Sequence, residues 1–453
     1  MKFERRPYAD LAASALRVAL REHQRVLTVG PTGCGKTVIA ARLIKHTARW
    51  RRVLWLAHRY ELVDQAYGTL ADLDLPVSVM MAADESVNGT DRQIADARVV
   101  VGSVQTVAAR GVPDDIDLIV FDEAHRTMAD SYRTIAAQCP TADVLGLTAT
   151  PCRLDGKGLG DFYQHMHVIA QPSALYADGY LAQPRTFSAP PDVVKALAVR
   201  LNGLRKERGD FAPNSLAKAV GTNFLIGSVV EEARRLAPGM PKVVFACNVK
   251  HSRQIDAAFK AAGIASAHID SETDPHERRE TLAALASGAV EVACNVDVLS
   301  EGWDLPSLGA VIVARPTASV ARFLQFVGRV QRPYAGKSPI VLDHGANVQR
   351  LGILPGQDTD WSLDGGAVSP IGPGVLKACP ACLAMMPSAC ASCPACGFAM
   401  PLPKRSMREE IAARLEEVKT ARRAKARAGV EALALAKNAP PGWVDKVIEA
   451  YGP

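Results

Sequence analysis

Apolar runs of four to six residues recur along two parts of this chain, and polar or glycine-rich clusters follow many of them. Short runs that are apolar throughout are typical of parallel strands buried on both faces. Apolar residues at helical spacing lie between many of the runs. The pattern therefore predicts an α/β fold with two parallel sheets of similar size. Strands are predicted at 26–29, 53–57, 98–102, 116–121 and 144–147, and then at 242–246, 291–294, 310–313 and 339–342.

Helices are predicted over most of 1–24 and at 252–262, 275–287 and 319–328, whereas 152–240 is less regular. These patterns predict an order of domains and connections along the chain. We expect a first domain at 1–190, a connecting segment at 191–225, a second domain at 226–350, a linker at 351–377, a cysteine-rich module at 378–400 and a helical tail at 404–453.

The turn after the first predicted strand has the pattern G-x-x-x-x-G-K-T and opens into an apolar helix. In such a loop the backbone N–H groups surround phosphate oxygens, and glycine is needed where a side chain would block the backbone's approach. Lys36 is expected to reach the terminal phosphates, and the Thr37 hydroxyl is expected to hold Mg²⁺. The predicted nucleotide-binding residues of the loop are Gly30, Thr32, Gly33, Cys34, Gly35, Lys36 and Thr37.

Two carboxylates, Asp122 and Glu123, follow the fourth predicted strand. The carboxyl ends of parallel strands meet at one edge of a sheet, so this pair is expected near the glycine-rich turn. Asp122 is predicted to bind Mg²⁺ through water, as the acidic partner of Thr37. Glu123 is predicted to orient and deprotonate the attacking water. The two patterns together predict a site that hydrolyses a nucleoside triphosphate.

Composition describes a globular protein with a basic tail. Of the 453 residues, 48% are hydrophobic and 22% are charged, which suits two or three domains. No apolar run approaches the roughly 20 residues that cross a membrane, and the first residues lack a signal peptide's apolar core, so a cytoplasmic protein is expected. The net charge of +6 comes mostly from 404–428, with nine Lys/Arg and four Glu. The helix predicted for this tail is either solvated or in contact with phosphates.

Five of the ten cysteines crowd between Cys379 and Cys396, which favours a metal over disulfides. Two C-x-x-C turns, Cys379/Cys382 and Cys393/Cys396, predict a closed structural Zn²⁺ site, because four thiolates leave no position open for catalysis. Cys390 also has the spacing to replace Cys393 as a ligand. About 20 residues cannot fold unaided, so the metal would be the module's core, and the module is expected to bind DNA or a protein partner.

These segments together resemble the superfamily-2 helicases and translocases of the DEAH type, in which two RecA-like domains close on ATP and move along nucleic acid. The resemblance covers about residues 1–350. Residues 209–211, 315–317 and 343–347, with the cysteine cluster, look like the RadD-like and restriction-enzyme motor (ResIII) group. The resemblance implies two tandem RecA-like domains, a zinc ribbon and a basic helical tail. The motifs are I at 30–37, Ia at 57–59, II at 122–125, III at 148–150, IV at 245–252, V at 298–306 and VI at 325–332.

The resemblance implies roles for second-domain residues. Arg329 and Arg332 would reach across the cleft to the γ-phosphate, and Gln325 would interact near the nucleotide or the hydrolytic water. Gly302 and Asp304 would help to sense the nucleotide and contact the strand.

In the first domain, the resemblance implies residues that couple ATP to closure and residues that contact the sugar-phosphate backbone. The family often begins Arg-Pro-Tyr-Gln, and its glutamine reads adenine. Here Ala9 follows Tyr8, so the adenine reader is missing from its usual place, although Tyr8 could still stack on the base. The coupling residues are His125, Thr148 and Thr150, and the nucleic-acid contacts are His58, Arg59, Ser103 and Gln105.

The sequence therefore predicts an ATP-dependent DNA helicase or translocase that uses ATP, Mg²⁺ and Zn²⁺. Single-stranded or forked DNA is the expected partner, and a repair or recombination protein could bind through the ribbon or the tail. DNA repair, recombination or phage and bacterial DNA metabolism is the expected setting, at the nucleoid of a bacterial or phage-infected cell. Two alternatives stay open: a DNA-binding accessory protein switched by ATP without unwinding, and an RNA helicase.

Overall fold

The computed structural model describes residues 6–81, 97–207, 209–300, 302–365, 369–370 and 376–400. The predicted basic tail at 404–453 lies outside the described residues. Over the described ranges, no helix has the length and apolar character needed to cross a bilayer.

The first half of the chain forms a seven-stranded, fully parallel sheet with helices on both faces. Its elements are α1 (Pro7–Glu22), β1 (Arg25–Val29), α2 (Lys36–Thr47), β2 (Val53–Ala57), α3 (Tyr60–Ala71), β3 (Val77–Met80), β4 (Val99–Ser103), α4 (Val104–Arg110), β5 (Leu118–Asp122), α5 (Asp130–Gln138), β6 (Asp143–Thr148), β7 (His165–Val168) and α6 (Pro172–Ala177). The strand order is β3-β4-β2-β5-β6-β1-β7, which places the ends of β5, β6 and β1 side by side. Neighbouring side chains alternate between two cores, with Val26 on one face and Leu27 on the other.

The second half forms a six-stranded parallel sheet. Its elements are β8 (Arg185–Ser188), α7 (Pro191–Leu201), β9 (Lys206–Glu207), β10 (Asp210–Phe211), α8 (Pro213–Val220), α9 (Thr222–Leu236), β11 (Lys242–Phe245), α10 (Val249–Ala261), β12 (Ser266–Ile269), α11 (Pro275–Ser287), β13 (Val292–Asn295), β14 (Ala310–Val313), α12 (Val320–Gly328), β15 (Ile340–Asp343) and α13 (Asn347–Leu351). Its strand order is β12-β13-β11-β14-β15-β8, and the short hairpin of β9 and β10 stands apart. The prediction of two tandem RecA-like parallel-sheet domains is confirmed.

In the two large sheets, the strands that the sequence missed are the edge strands. β3 and β7 border the first sheet, and β12 and β8 border the second. Edge strands are half exposed and carry polar residues, so they do not show as apolar runs. β8 pairs with β15 in the second sheet although it precedes the domain boundary predicted at residue 190.

Residues 353–365, here called the strap, lie inside the predicted linker and join the two cores. Ile353 packs in the core of the second sheet, whereas Trp361 and Leu363 pack against the first. The carbonyl of Leu363 accepts hydrogen bonds from the amides of Leu159 and Gly160, each at 2.8 Å. This part of the predicted linker is therefore an ordered connection, and it includes the short strand β16 (Thr359–Asp360), which pairs with β17 (Ser369–Pro370).

The cysteine-rich module begins with an antiparallel hairpin, β18 (Leu376–Ala378) and β19 (Met385–Pro387). Ala384 forms an isolated bridge with Phe187 of β8, and Met386 is fully buried. The hairpin thus covers the exposed edge of the second sheet. Residues 391–393 group with the described residues 397–400 in a smaller compact unit, in which Ser392 bridges Ala399.

Candidate functional site

The glycine-rich turn lies between β1 and α2, next to the end of β6. Gly33 and Gly35 have φ of +88° and +86°, a left-handed conformation that favours glycine, and Gly35 precedes the first residue of α2. A Cβ on Gly30 would lie 2.7 Å from Cys34 Sγ. Lys36 Nζ donates to Gly30 O at 2.8 Å, which holds the ammonium inside the curve of the loop. The backbone shape and the positive end of a twelve-residue helix fit a bound phosphate chain.

The predicted acidic pair lies two strands away, at the end of β5. Asp122 is 6% exposed, and its Oδ1 accepts from the amide of Glu123 at 3.0 Å. Glu123 has φ of +52°, which is rare for a residue with a side chain and is typical of functional sites. Thr37 lies in the first turn of α2. The fold thus brings the predicted magnesium ligands and the predicted base to the same edge of the sheet, where they fit a hydrated Mg²⁺.

Motif III connects this edge to the loop. Thr148 ends β6, between β5 and β1, and its carbonyl accepts from the amide of Gly30 at 3.1 Å. Thr148 Oγ1 donates to the carbonyl of Thr150 at 2.9 Å and accepts from the Thr150 amide at 3.1 Å. Both threonines are fully buried. A movement of the phosphate loop would therefore be transmitted directly to motif III.

A chain of three side chains leads from the predicted base to the second domain. Glu123 Oε2 lies 3.3 Å from His125 Nδ1, and His125 Nε2 lies 3.4 Å from Gln325 Nε2 of α12. The side-chain amide of Gln325 and the imidazole of His125 can share one hydrogen bond, and its direction depends on the tautomer of His125. Gln325 was predicted near the nucleotide or the water, and its described contact is with His125.

Arg332 lies against the phosphate loop. A Cβ on Gly33 would be 3.4 Å from Arg332 Cγ, and a Cβ on nearby Gly328 would be 2.6 Å from Thr32 Cβ. Arg332 Nε binds Asp304 Oδ1 at 2.7 Å. Its Nη1 is buried and makes no hydrogen bond to any described residue. Burial lowers the pKa of Arg332, and the nearby Asp304 opposes that shift. An unpaired buried donor beside a phosphate loop fits an anion.

Arg329 has different surroundings, although the resemblance implies the same role for it. Its Nε and Nη2 donate to the carbonyl of Ser300 at 3.0 and 2.6 Å, and its Nη1 donates to the carbonyl of Trp303 at 2.7 Å. The side chain is 6% exposed. Arg329 therefore holds the motif V loop from within the second domain.

Three other predicted nucleotide contacts are already engaged by protein groups. The Tyr8 hydroxyl donates to the carbonyl of Cys34 at 2.6 Å, and its ring lies 5.1 Å from that of Tyr180. Gly302 faces the other domain, since a Cβ there would be 3.2 Å from Glu61 Cβ. Asp304 is the partner of Arg332.

The four predicted nucleic-acid contacts gather at one groove, here called the interdomain groove, of about 1040 Å³. His58, Arg59, Ser103 and Gln105 all line it. The sequence missed three of its cations, and the only available signal was their charge. These are Arg110 of α4 and Arg278 and Arg279 of α11.

Some groove residues hold the fold together. Arg59 donates across the groove to the carbonyls of Val298 and Asp297 at 2.7 and 3.3 Å. Ser103 Oγ caps α4 by accepting from the amide of Thr106 at 3.1 Å. Arg59 is therefore an interdomain contact, and a strand in the groove would compete for it.

A buried ionic network supports the motif V side of this groove. Arg315 is fully buried and contacts Asp297 at 3.2 Å and Asp210 at 3.3 Å. Arg322 contacts the same two carboxylates at 3.2 and 3.4 Å. Asp297 has φ of +57°. The segments 209–211 and 315–317, noted for their resemblance, thus fix the loop whose carbonyls bind Arg59.

Four cysteines converge at the module's core, and they are the predicted zinc ligands. The sulfur atoms of Cys379, Cys382, Cys393 and Cys396 all lie within 4.8 Å of one another. Cys379 Sγ and Cys396 Sγ are 3.7 Å apart, and sulfurs bound 2.3 Å from one tetrahedral zinc lie about 3.8 Å apart. Cys390 is outside this group. The cluster fits a zinc ribbon.

Comparison with known proteins agrees with this architecture. Residues 2–153 match the family model for the type III restriction enzyme, res subunit, and 229–334 match that of the helicase conserved C-terminal domain. A Lactococcus phage protein, described as a 51.5 kDa protein, is 30% identical over 362 residues, which are 79% of this chain and 74% of that protein.

Two further similarities extend over most of the chain. The ATP-dependent helicase IRC3 of Saccharomyces cerevisiae is 28% identical over 355 residues, 73% of this chain, and the chain spans 50% of that relative's length. The ATP-dependent type ISP restriction-modification enzyme LlaBIII, solved bound to DNA, superposes with a TM-score of 0.58 at 18% identity, over 76% of this chain and 28% of that one. At that identity the similarity concerns the fold.

Proposed function

The chain belongs to superfamily 2 of the ATP-dependent helicases and translocases, and we propose that it moves along DNA by closing and opening its two domains. The observation that supports this most is the chain from Glu123 through His125 to Gln325, which joins the hydrolytic site to the second domain. Such a contact makes hydrolysis depend on closure.

When bound, ATP supplies the phosphoanhydride bond that is cleaved, and Mg²⁺ supplies positive charge that offsets the negative charge of the phosphates. Lys36 and the loop amides would hold the phosphates, and Thr37 and Asp122 would hold the metal. Glu123 then takes the proton of the attacking water, with its carboxylate oriented by His125. Arg332 would place its free Nη1 on the charge that develops at the phosphate.

The interdomain groove is the proposed path of the strand. Its walls come from both domains, so closure changes its width, and Arg59, Arg110, Arg278 and Arg279 provide positive charge along it. A strand that engages Arg59 would release the carbonyls of Asp297 and Val298, and motif V would then be free to move.

The setting of the activity is part of the proposal. The phage relative fits phage or bacterial DNA metabolism, including repair and recombination, in the cytoplasm of such a cell. The four-cysteine cluster fits structural Zn²⁺, and the ribbon or the tail would contact DNA or a protein partner.

ATP hydrolysis measured with single-stranded DNA, with RNA and without nucleic acid tests this function. We expect DNA to stimulate hydrolysis more than RNA does, and we expect labelled strands to be displaced from forked DNA. Stimulation by RNA alone would favour an RNA helicase. Stimulated hydrolysis without displacement on any duplex would favour a translocase or an ATP-switched accessory protein.

Glu123→Gln tests the base in the same assay. Loss of the carboxylate should lower the hydrolysis rate by about 10²- to 10³-fold while ATP still binds. Asp114→Asn is the matched control, since Asp114 is exposed before β5 and should leave the rate unchanged. Hydrolysis at the normal rate in the Glu123→Gln protein would rule out this mechanism.

A further inference from the structure

A second groove lies at the opposite end of the first sheet, where β2, β3 and β4 begin. We call it the amino-edge groove. Its volume is about 640 Å³, and its residues take no part in the nucleotide site or the interdomain groove. Its lining combines one large aromatic ring, an apolar floor and several cations. The residues that carry the argument are Lys45, His46, Arg49, Trp50, Leu75 and Arg98.

Trp50 is the most unusual of these residues because 75% of it is exposed. Tryptophan usually buries most of its large ring, and an exposed one in a groove is typical of a surface that binds a partner. Leu75 and Val99 also line the groove, so it has apolar walls as well as the ring. The site can therefore take a flat ring on an apolar surface.

The charges around Trp50 are positive and mostly unpaired. Lys45 lies in the last turn of α2, where the helix dipole already favours a cation. Arg49 and Arg98 lie outside that turn, and no described carboxylate pairs with either. Asp74 is the one acid in the lining, 4.0 Å from Lys45, and its side chain is 94% exposed. The groove thus offers cations to an anionic ligand.

We propose that the amino-edge groove binds single-stranded nucleic acid, with a base stacked on Trp50 and phosphates on Arg49 and Arg98. A stacking platform beside cations is the pattern by which proteins hold single strands without reading sequence. α2 begins at Lys36 in the phosphate loop and ends beside this groove. A strand held here would therefore be attached to the helix that binds the nucleotide, at a distance from the interdomain groove.

This inference rests on the proposed function, and strand length separates the two. An oligothymidylate of about 10 nucleotides can fill the interdomain groove alone, whereas one of about 30 can also reach the second groove. In the full-length protein, Trp50→Ala and the double variant Arg49→Ser/Arg98→Ser should weaken binding of the longer strand by about tenfold. Binding of the shorter strand and the ATP hydrolysis that it stimulates should not change.

The salt dependence gives a second readout. Removing two phosphate contacts should lower the slope of log affinity against log salt by about 1.4 for the longer strand. Leu11→Ala and Arg17→Ser/Arg21→Ser, all at exposed positions of α1, are the matched controls and should bind like the unaltered protein. Trp50→Phe should keep most of the affinity because the ring remains.

This inference alone would be overturned if the Trp50→Ala and double-arginine proteins bound the longer strand as tightly as the unaltered protein does, with strand-stimulated hydrolysis intact. In that case the groove would suit an acidic protein segment instead. If neither strand bound or stimulated hydrolysis in the unaltered protein, the proposed function itself would fail.

Discussion

Arg329 and Arg332 differ in what surrounds their guanidinium groups. Arg329 donates three hydrogen bonds to carbonyls of the motif V loop, whereas Arg332 lies on the phosphate loop with a buried Nη1 that has no described partner. Of the two, only Arg332 has a buried guanidinium nitrogen that makes no hydrogen bond to a described residue. Arg332 is therefore the arginine that we propose for stabilising the transition state.

Alanine substitutions should separate these two arginines. Arg332→Ala should reduce strand-stimulated hydrolysis by about 10³-fold and leave the melting temperature almost unchanged. Arg329→Ala leaves buried carbonyls unpaired, which costs about 2 kcal/mol, and the melting temperature should fall by about 4 to 8 °C. Turnover and thermal melting, measured on both proteins, check this. A fully stable Arg329→Ala protein without activity, or an unstable Arg332→Ala protein, would reverse the assignment.

How much a sequence can predict differs from residue to residue. The loop glycines, Asp122 and Glu123 followed from spacing because their positions are set by strands that are apolar and buried. The partners of Arg59, Arg315 and Arg329 depend on carbonyls and carboxylates that lie far away in the chain, and no local pattern indicates them.

Among the elements, the four edge strands were missed because half of their surface faces solvent or another module. β8 is one of them, and the cysteine-rich hairpin covers its outer edge through the bridge between Phe187 and Ala384. The hairpin places Ala384 and Met386 in buried positions, so the module is packed into the second domain. Loss of the module's metal should therefore lower the local stability of the second sheet.

Serine substitutions test the proposed zinc ligands and this packing together. Cys393→Ser should lose the bound zinc, measured by native mass spectrometry, and hydrogen exchange at the amides of β8 should rise. Cys390→Ser is the matched control and should keep one zinc per chain, because Cys390 lies outside the four-sulfur cluster. If the Cys390→Ser protein lost its zinc and the Cys393→Ser protein kept it, Cys390 would be the ligand in place of Cys393.

For the whole molecule, the strap is a connection that packs against both domains. It leaves the second core at Ile353, and Ser173 donates to Asp358 through its amide and hydroxyl at 2.9 and 2.6 Å. Gln357 and Thr359 then line a cavity together with Gly30 of the phosphate loop. A segment that packs on both domains and reaches the loop can transmit domain opening to the nucleotide site.

Gly158→Ala should displace the strap with a single methyl group. A Cβ there would lie 2.0 Å from the carbonyl oxygen of Leu363 and 2.3 Å from the backbone of Asp364, and neither atom can turn away. Such overpacking costs about 1–3 kcal/mol. Hydrogen exchange at the amides of Leu159 and Gly160 should rise, and the KM for ATP should increase. Gly68→Ala, in α3 with open space around it, is the matched control and should be neutral or slightly stabilising.

Unchanged exchange in a folded Gly158→Ala protein would show that the strap is not displaced. Raised exchange with an unchanged KM would show that it connects the domains without acting on the nucleotide site.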